Sequence, residues 1–306
     1  MCLNAAIRPR SPNETFGQTD DSIMKIRDAN KADQHMCGNV IYDAFKSLAE
    51  QHNFPPDFPS PEVATGLASM LIDTPGFYGV VADEAGKIVG SNFMDERSPI
   101  FGIGPISVAP DVQNHAIGKR LMYAVLDRAA ARGAVGTRLV QAGYHNRSLC
   151  LYTKLGFVTR EPLSLLQGPK LNAKFAGYDV RPADESDIER CNKLCREVHG
   201  FDRDREIREA IRMGSARVVE HLEEITGYAT AIGFFAHAVA RTNQDLKALI
   251  GAATEFLGPG FLLPTRNHDV FEWCLNLKVK LVFQMTLMST GLYHEPTGAY
   301  LPSILY

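Results

Sequence analysis

The stretch VAPDVQNHAIGKRL (residues 108–121) decides the interpretation of the chain. An apolar, strand-like run precedes it, an amphipathic helical run follows it, and the junction carries two small residues, Ala116 and Gly118. A loop that enters a helix presents backbone N–H groups without intrahelical partners, and the helix dipole adds positive charge at the same place. Small side chains let a bulky anion approach those groups. The stretch therefore predicts a binding site for a phosphate-like anion.

The residues around this loop predict a mixed α/β fold. Alternating apolar residues, turn residues and amphipathic periods give the order of elements. Before the loop we expect a hairpin and a third strand; after it we expect a helix that ends at Gly133, a strand, a short helix and a last strand. The predicted segments are strands at 77–83, 87–96 and 101–110, a helix at 119–133, a strand at 137–144, a helix at 146–156 and a strand at 157–166.

Three pairs of similar segments indicate that the chain contains a duplication. In the first pair, IRDANKADQHMC begins at residue 26 and VRPADESDIERC begins at residue 180. In the second pair, KIVGS begins at residue 87 and EITGY at residue 224. In the third pair, CLYTKLGF begins at residue 150 and CLNLKVKL at residue 274. The offset shrinks from 180 − 26 = 154 to 274 − 150 = 124, so the second half has lost loop residues. We expect a flexible extension at 1–22, a first domain at 23–165, a linker at 166–178 and a second, degenerate domain at 179–306.

The composition of the 306 residues excludes some classes of protein. A net charge of −3 and a pI near 6.3 do not suggest a nucleic-acid binder. No apolar run is long enough to predict a membrane span, and the polar N-terminal segment does not resemble a secretory signal. The six cysteines form no CxxC pair, which predicts reduced thiols and no metal site. We therefore expect a cytoplasmic protein that binds neither membrane nor nucleic acid.

Two motifs together carry a resemblance to a known family. The spacing Gln113-x-x-Ala116-x-Gly118 after an apolar strand resembles the acetyl-CoA pyrophosphate loop of the GCN5-related N-acetyltransferase (GNAT) superfamily. The usual form has glycine where this chain has Ala116. HNRSLCLYTKLGF (residues 145–157) resembles the segment that follows in the same family, in the same order. The resemblance implies two tandem GNAT-like domains, each a mixed, mostly antiparallel sheet flanked by helices.

The resemblance also implies roles for individual residues. Tyr152 would be the general acid that protonates the departing thiolate of acetyl-CoA, and Asn146 would bind the CoA arm. The backbone of Ile106, Ser107 and Val108 would pair with the pantetheine. The pyrophosphate would lie against the backbone N–H groups of the loop, which comprises Gln113, Asn114, His115, Ala116, Ile117, Gly118 and Lys119. No metal is implied. The acceptor would be a small-molecule or peptide amine whose identity stays open, as does the acyl chain length.

The general base and the acceptor pocket are less determined by the sequence. Some family members carry a glutamate on the strand before the loop, where this chain has Gly102. The nearest carboxylates are Glu96 and Asp95, at the end of the preceding strand, and Glu96 is the candidate base. Two alternatives to Glu96 as the base are a water chain and the terminal carboxylate of Tyr306, the latter if the C-terminal tail docks on the first domain. Phe54 and Phe58 are candidate wall residues of the acceptor pocket. His145 is a further candidate for contact with the substrate.

The second half shows no such motifs. Its counterpart of the loop, ARTNQDLKAL (residues 240–249), lacks the small-residue spacing, and the alignment puts Asn276 opposite Tyr152 and Lys280 opposite Gly156. We therefore predict that the first half is catalytic and that the second supports it and shapes its acceptor pocket. Two alternatives remain open: a non-catalytic acetyl-CoA-binding regulator, and a donor site in the second half. The oligomeric state does not follow from the sequence.

Overall fold

The computed structural model describes residues 24–113 and 115–305. The predicted extension at 1–22, Asn114 and Tyr306 lie outside the described residues. The first half contains β1 Met24–Asp28, α1 Gln34–Gln51, α2 Pro61–Asp73, β2 Phe77–Glu84, β3 Lys87–Asp95, β4 Ile100–Val108, α3 Ile117–Ala131, β5 Gly136–Ala142, α4 Asn146–Lys154 and β6 Val158–Gln167. The second half contains β7 Asp179–Pro182, α5 Ile188–His199, α6 Asp204–Arg212, β8 Arg217–His221, β9 Glu224–Ala229, β10 Ala238–Ala240, α7 Asn243–Ala252, β11 Phe261–Pro264, α8 His268–Asn276, β12 Lys280–Gly291 and β13 Ala299–Leu301.

The elements repeat in the same order, and their helices cover the sheets in the same way. In the first half α1 and α2 pack on one face of the sheet, and α3 and α4 pack on the other. In the second half α5 and α6 cover one face, and α7 and α8 the other. Successive residues of β2, Val80 and Val81, point into the two separate cores. The expected fold class of tandem mixed sheets flanked by helices is confirmed.

The first repeated segment forms the same local structure twice. Arg27 makes an ion pair with Asp33 at 2.7 Å, and Arg181 makes the corresponding pair with Asp187 at 2.6 Å. In both copies the carboxylate also accepts a hydrogen bond from the backbone of the N-cap residue, with which it forms a capping box: Asn30 with Asp33, and Asp184 with Asp187. The aligned arginine and aspartate thus fix how the first strand enters the first helix.

The two halves share one sheet through an exchange of their last strands. The first sheet has the order β1-β2-β3-β4-β5-β12-β6-β11, and the second has the order β13-β10-β9-β8-β7. β12 of the second half therefore lies between β5 and β6 of the first, and β6 in turn pairs with β11 of the second half. Because these pairs are antiparallel ladders, with register shifts only between β12 and β6, the halves are joined by backbone hydrogen bonds as well as by side-chain packing.

The structure corrects the alignment of α4 with α8. The N–H of Phe157 bonds to the carbonyl of Tyr152 where α4 ends, and the N–H of Val279 bonds to that of Cys274 where α8 ends. Gly156, which precedes Phe157 and has φ of 92°, thus corresponds to Lys278, which precedes Val279 and has φ of 67°. The predicted counterparts of Tyr152 and Gly156, Asn276 and Lys280, are therefore wrong by two positions. The error arose because the sequence alignment matched the Cys-Leu pair at the start of each segment, whereas the ends of the two helices align differently. Cys274 is the counterpart of Tyr152, so the second half still has no phenol there.

Candidate active site

The neighbouring strands β4 and β5 diverge and open a cleft in the sheet. They pair in parallel only from Ile100–Gly136 to Gly102–Arg138. Beyond that point β4 continues to pair with β3 as far as Val108, while β5 pairs with β12 on its outer side. The backbone of β4 beyond Gly102 is therefore left with an edge that faces the cleft. A cavity of about 1150 Å³ fills this space, and Ile106, Ser107 and Val108 line it.

The loop at the start of α3 lies at one end of the cavity. Gln113, Ala116, Ile117, Gly118 and Lys119 line the cavity there, and α3 begins without a side-chain cap. Its first N–H groups are thus available to an anion. His115 is exposed and is not among the lining residues. Asn114 lies outside the described residues.

The conformation of this loop explains the small residue at its centre. Ala116 is the N-cap of α3 and has φ of 59°, a left-handed backbone in which a Cβ atom is disfavoured. Arg147, at the start of α4, donates to the side-chain oxygen of Gln113 at 3.1 Å, and the Gln113 amide donates to the Val108 carbonyl at 3.2 Å. The cations of Lys119 and Arg147 therefore both lie at the loop end of the cavity.

Helix α4 and its N-cap residue, His145, place polar side chains along the cavity wall. Tyr152 is buried, and burial raises the pKa of its phenol to about 12, against a smaller lowering by the Ser148 hydroxyl. Ser148 Oγ lies 2.7 Å from His145 Nδ1. Burial lowers the pKa of His145 to about 4, with smaller contributions from Arg147 and His52. At neutral pH the site thus holds a protonated phenol and a neutral imidazole joined through one hydroxyl. Asn146 lines the same wall.

The end of the cavity that is lined by the segment between α1 and α2 is aromatic. Phe58, in the segment between α1 and α2, lines it and packs edge-on against Phe45 with ring centroids 5.7 Å apart. Phe54 lies one layer behind, stacked on Tyr144 at 4.4 Å, and it is Tyr144 that lines the cavity. Asp57 also lines this end, and burial raises the pKa of its carboxyl group to about 6.

The candidate base at Glu96 is placed elsewhere. Its carboxylate pairs with Arg128 at 2.8 Å and Arg132 at 3.6 Å on α3, and it is not among the cavity-lining residues. We therefore do not retain Glu96 as a catalytic residue, because two guanidinium groups already hold its charge. Gly102 approaches the C-terminal tail so closely that an added Cβ would lie 1.8 Å from the Leu305 carbonyl oxygen. The tail does dock on the first half as far as Leu305, whereas Tyr306 lies outside the described residues.

The second half closes the cavity and has no comparable anion site. Phe234, Phe235 and Met285 from this half contribute to the wall. Helix α7, the counterpart of α3, begins with a capping box in which Thr242 and Asp245 bond each other's backbone N–H groups. Its N-terminal donors are thus occupied by the chain's own carboxylate, which would also repel an anion. A donor site there has no support in this geometry.

Neither a metal site nor a membrane span is found in the described parts of the chain. Within residues 24–113 and 115–305, no group of three or more histidine, cysteine, aspartate or glutamate side chains could hold a metal ion. No described helix combines the length and the apolar character needed to cross a membrane.

Several cavity residues have no recognisable signal in the sequence. Arg147 and Ser148 lie inside a motif that points to their neighbours, and Asp57 lies between two prolines of an otherwise unmarked loop. Phe234 and Phe235 come from the second half, so only the folded chain brings them to the site. Periodicity along the sequence could find none of the five, since their role depends on which distant segment they face.

Comparisons with known proteins agree with this geometry. The family model described as the acetyltransferase (GNAT) family matches residues 42–157. The solved structure of a protein from Pyrococcus horikoshii, assigned as an acetyltransferase, matches with a TM-score of 0.70 at 19% identity, over 94% of this chain and 98% of that chain. A GCN5-related N-acetyltransferase from Sphaerobacter thermophilus matches with a TM-score of 0.58 at 12% identity, over 89% of this chain and 96% of that chain.

A third structure has the same tandem organisation. A tandem GNAT protein from the clavulanic acid biosynthesis pathway matches with a TM-score of 0.54 at 13% identity, over 88% of this chain and 98% of that chain. The sequence matches no curated protein. At these identities the solved structures share the fold along nearly their whole length, and the chemistry has to be argued from the site.

Proposed function

Because residues 42–157 match the model of the acetyltransferase (GNAT) family, we propose that the chain transfers an acetyl group from acetyl-CoA to a primary amine. One observation carries the proposal. The uncapped start of α3, the free edge of β4 and the buried phenol of Tyr152 all line the same cavity. These features suit a long acyl donor: the anion site would bind a phosphate group at one end, the backbone edge would bind an extended arm, and the proton donor would lie at the thioester.

The donor would lie along the first half of the cavity. The N–H groups of Ile117, Gly118 and Lys119 would receive its pyrophosphate, helped by the dipole of α3 and by Arg147. The pantetheine amides would add to the free edge of β4 in the manner of an extra strand. This arrangement carries the thioester toward α4, where Tyr152 lies.

The transfer would be a direct displacement in a ternary complex. The lone pair of the neutral amine attacks the thioester carbonyl carbon, the N–C bond forms, and the C–S bond breaks. The electron pair of that bond leaves on sulfur, and the Tyr152 phenol donates its proton there. A phenol with a pKa of about 12 stays protonated throughout the neutral range, so the donor is always present. The excess proton of the new amide nitrogen leaves to water.

The same helix supplies a route for restoring the phenol. Ser148 interacts with Tyr152 on one side and lies 2.7 Å from His145 Nδ1 on the other. Because the imidazole is neutral and reaches the cavity, it can pass a proton from solvent to the serine hydroxyl, and the hydroxyl can pass its own to the phenolate. His145 thus acts through Ser148 as a positioning and relay residue.

The test compares Tyr152→Phe with wild type in an assay of thiol release from acetyl-CoA against a panel of amines. We expect kcat to fall roughly 100-fold or more, since general acid catalysis is commonly worth that much. The affinity for CoA, measured by calorimetry, should stay unchanged because the phenol takes no part in pyrophosphate binding. Tyr78→Phe is the matched control, since that hydroxyl bonds to Asp28 outside the cavity.

Two results would contradict the proposal. Turnover that is equal in Tyr152→Phe and wild type would remove the phenol from the chemistry. Tight CoA binding without acetylation of any amine would favour a regulator that senses acetyl-CoA, and the search would turn to its protein partner.

A further inference from the structure

Asp57 is a charged group in the cavity wall that the transfer chemistry does not use. It lies in PPDFP (residues 55–59), where prolines on both sides restrict the backbone and fix the position of the carboxyl group. It is the only carboxylate among the described residues that line the cavity. It also makes no ion pair or side-chain hydrogen bond with another described residue. A partly buried carboxylate without a partner is costly unless a ligand supplies the opposite charge.

Most of the cavity-lining residues near Asp57 in the sequence and from the second half are apolar, and the polar ones are Tyr42, Ser47, Gln51 and His52. The walls at this end come from α1, α2, the segment between them and the second half, and their apolar residues are Phe45, Phe58, Val63, Leu67, Phe234 and Phe235. The lysine and arginine side chains that line the cavity, Lys119 and Arg147, lie beside the anion loop, and His52 packs against Tyr144 with ring centroids 5.0 Å apart. The acceptor end therefore offers one negative charge within a hydrocarbon pocket.

Asp57 is also close to the reacting groups. Its charge contributes to the raised pKa of Tyr144, which is otherwise due to burial, so the two side chains are near neighbours. Tyr144 directly precedes His145, which bonds to Ser148 beside Tyr152. An amine held at Asp57 would thus lie near the wall that carries Tyr144 and His145.

Resting on the proposed acetyl transfer, we propose that the acceptor is a primary monoamine on an aromatic or similarly bulky apolar body, and that Asp57 holds its ammonium group. An amino acid would bring its carboxylate against the carboxylate of Asp57, and Lys119 and Arg147, which could neutralise it, lie beside the anion loop. A polyamine would bring a second ammonium group into a pocket that has a single carboxylate. The charge and the apolar walls both favour one cation on a hydrocarbon.

The first experiment measures kcat/KM for three amines with wild-type protein. 2-Phenylethylamine carries one charge and a ring, phenylalanine adds a carboxylate to the same skeleton, and 1,4-diaminobutane replaces the ring with a second ammonium group. We expect 2-phenylethylamine to exceed each of the others by roughly 100-fold, because an unpaired buried charge strongly weakens binding. Equal or higher kcat/KM for phenylalanine or the diamine would overturn the inference.

The second experiment uses Asp57→Asn, which keeps the shape and removes the charge. We expect kcat/KM for 2-phenylethylamine to fall roughly 10- to 100-fold, the usual loss for a hydrogen bond to a charged group, with the Kd for acetyl-CoA unchanged. Asp73→Asn is the matched control, because Asp73 is half-exposed and pairs with Lys31 outside the cavity. An unchanged kcat/KM in Asp57→Asn would refute the assignment.

Binding measurements separate this inference from the proposed function. Calorimetry with 2-phenylethylamine, run with CoA present, should show binding to wild type and at least 10-fold weaker binding to Asp57→Asn. If that binding is seen but no amine is acetylated, the proposed function fails and the amine site stands. If acetyl transfer is found but runs best with diamines or amino acids, the function stands and the inference fails.

Discussion

Replacing Gly102 with alanine tests how the C-terminal tail closes the site. An ideal Cβ on Gly102 would lie 1.8 Å from the Leu305 carbonyl oxygen, far inside van der Waals contact. Gly102 cannot retreat, because it pairs with Asp95 on one side and with Arg138 on the other, in the middle of the sheet. The tail must therefore move away by more than about 1 Å to reach an ordinary contact distance.

The cost can be worked from what holds the tail. The Leu305 side chain is 8% exposed and packs in the core under α1 and α2, and burying a leucine is worth roughly 1.5–3 kcal/mol. The N–H of Ile304 donates to the Phe234 carbonyl at 2.8 Å, which adds roughly 0.5–1.5 kcal/mol. We expect Gly102→Ala to lower the free energy of unfolding by about 2–4 kcal/mol if both contacts are lost.

Urea unfolding measures this loss, and Gly66→Ala is its matched control. No atom lies within 4 Å of the position of a Cβ on Gly66, which is in the helix α2, so alanine there should be neutral or stabilising. The KM for the acceptor should also rise, since Ile304 and Leu305 line the cavity, while the Kd for acetyl-CoA should not change. A Gly102→Ala protein as stable as wild type, with an unaltered acceptor KM, would refute the described position of the tail.

Two further predictions concern the loop and the buried histidines. Ala116→Gly should raise the free energy of unfolding by about 0.5–1 kcal/mol, because the relief of the left-handed strain exceeds the entropic cost of glycine. The control Ala124→Gly, in the same helix, should lower the free energy of unfolding by about 1 kcal/mol. The reverse order of stabilities in urea unfolding would contradict the loop conformation. Burial lowers the pKa of His199 well below its usual value and that of His237 to about 4, so the native state stays unprotonated while the unfolded chain binds protons below about pH 6.5. The free energy of unfolding should therefore fall as the pH drops from 6.5 toward 4, by up to about 1.4 kcal/mol per pH unit for each histidine. A free energy of unfolding that does not change with pH in this window would show that these side chains are not buried as described.

The sequence predicts well those features that depend on neighbouring residues. The hairpin of β2 and β3, the loop before α3 and the helix that carries Tyr152 follow from turn residues, periodicity and motif spacing. The preference for a small residue at Ala116 also has a local cause, a positive φ at the start of a helix. Each of these depends on interactions within about ten residues, which a pattern in the sequence records.

Features that depend on distant segments could not be predicted in this way. Strand β12 pairs with β5 and β6, which precede it by more than a hundred residues, and no periodicity marks that exchange. Glu96 illustrates the same limit, since its position on the strand gave no sign that Arg128 pairs with it from α3. Asp57 lies in a loop, and only the folded chain brings it to a cavity that residues of α1, α2 and the second half also line.

The strand exchange also explains how the second half can lose an active site and still be required. The outer edge of β5 would be exposed if β12 were absent, and an unpaired edge beside a cleft invites wrong pairing. The second half covers that edge and also supplies Phe234 and Phe235 at the acceptor end. Its own helix start at α7 is closed by Asp245. Under the proposed function, the duplication separates two tasks: the first half binds the donor and carries out the acyl transfer, and the second completes the sheet and contributes to the wall of the acceptor pocket.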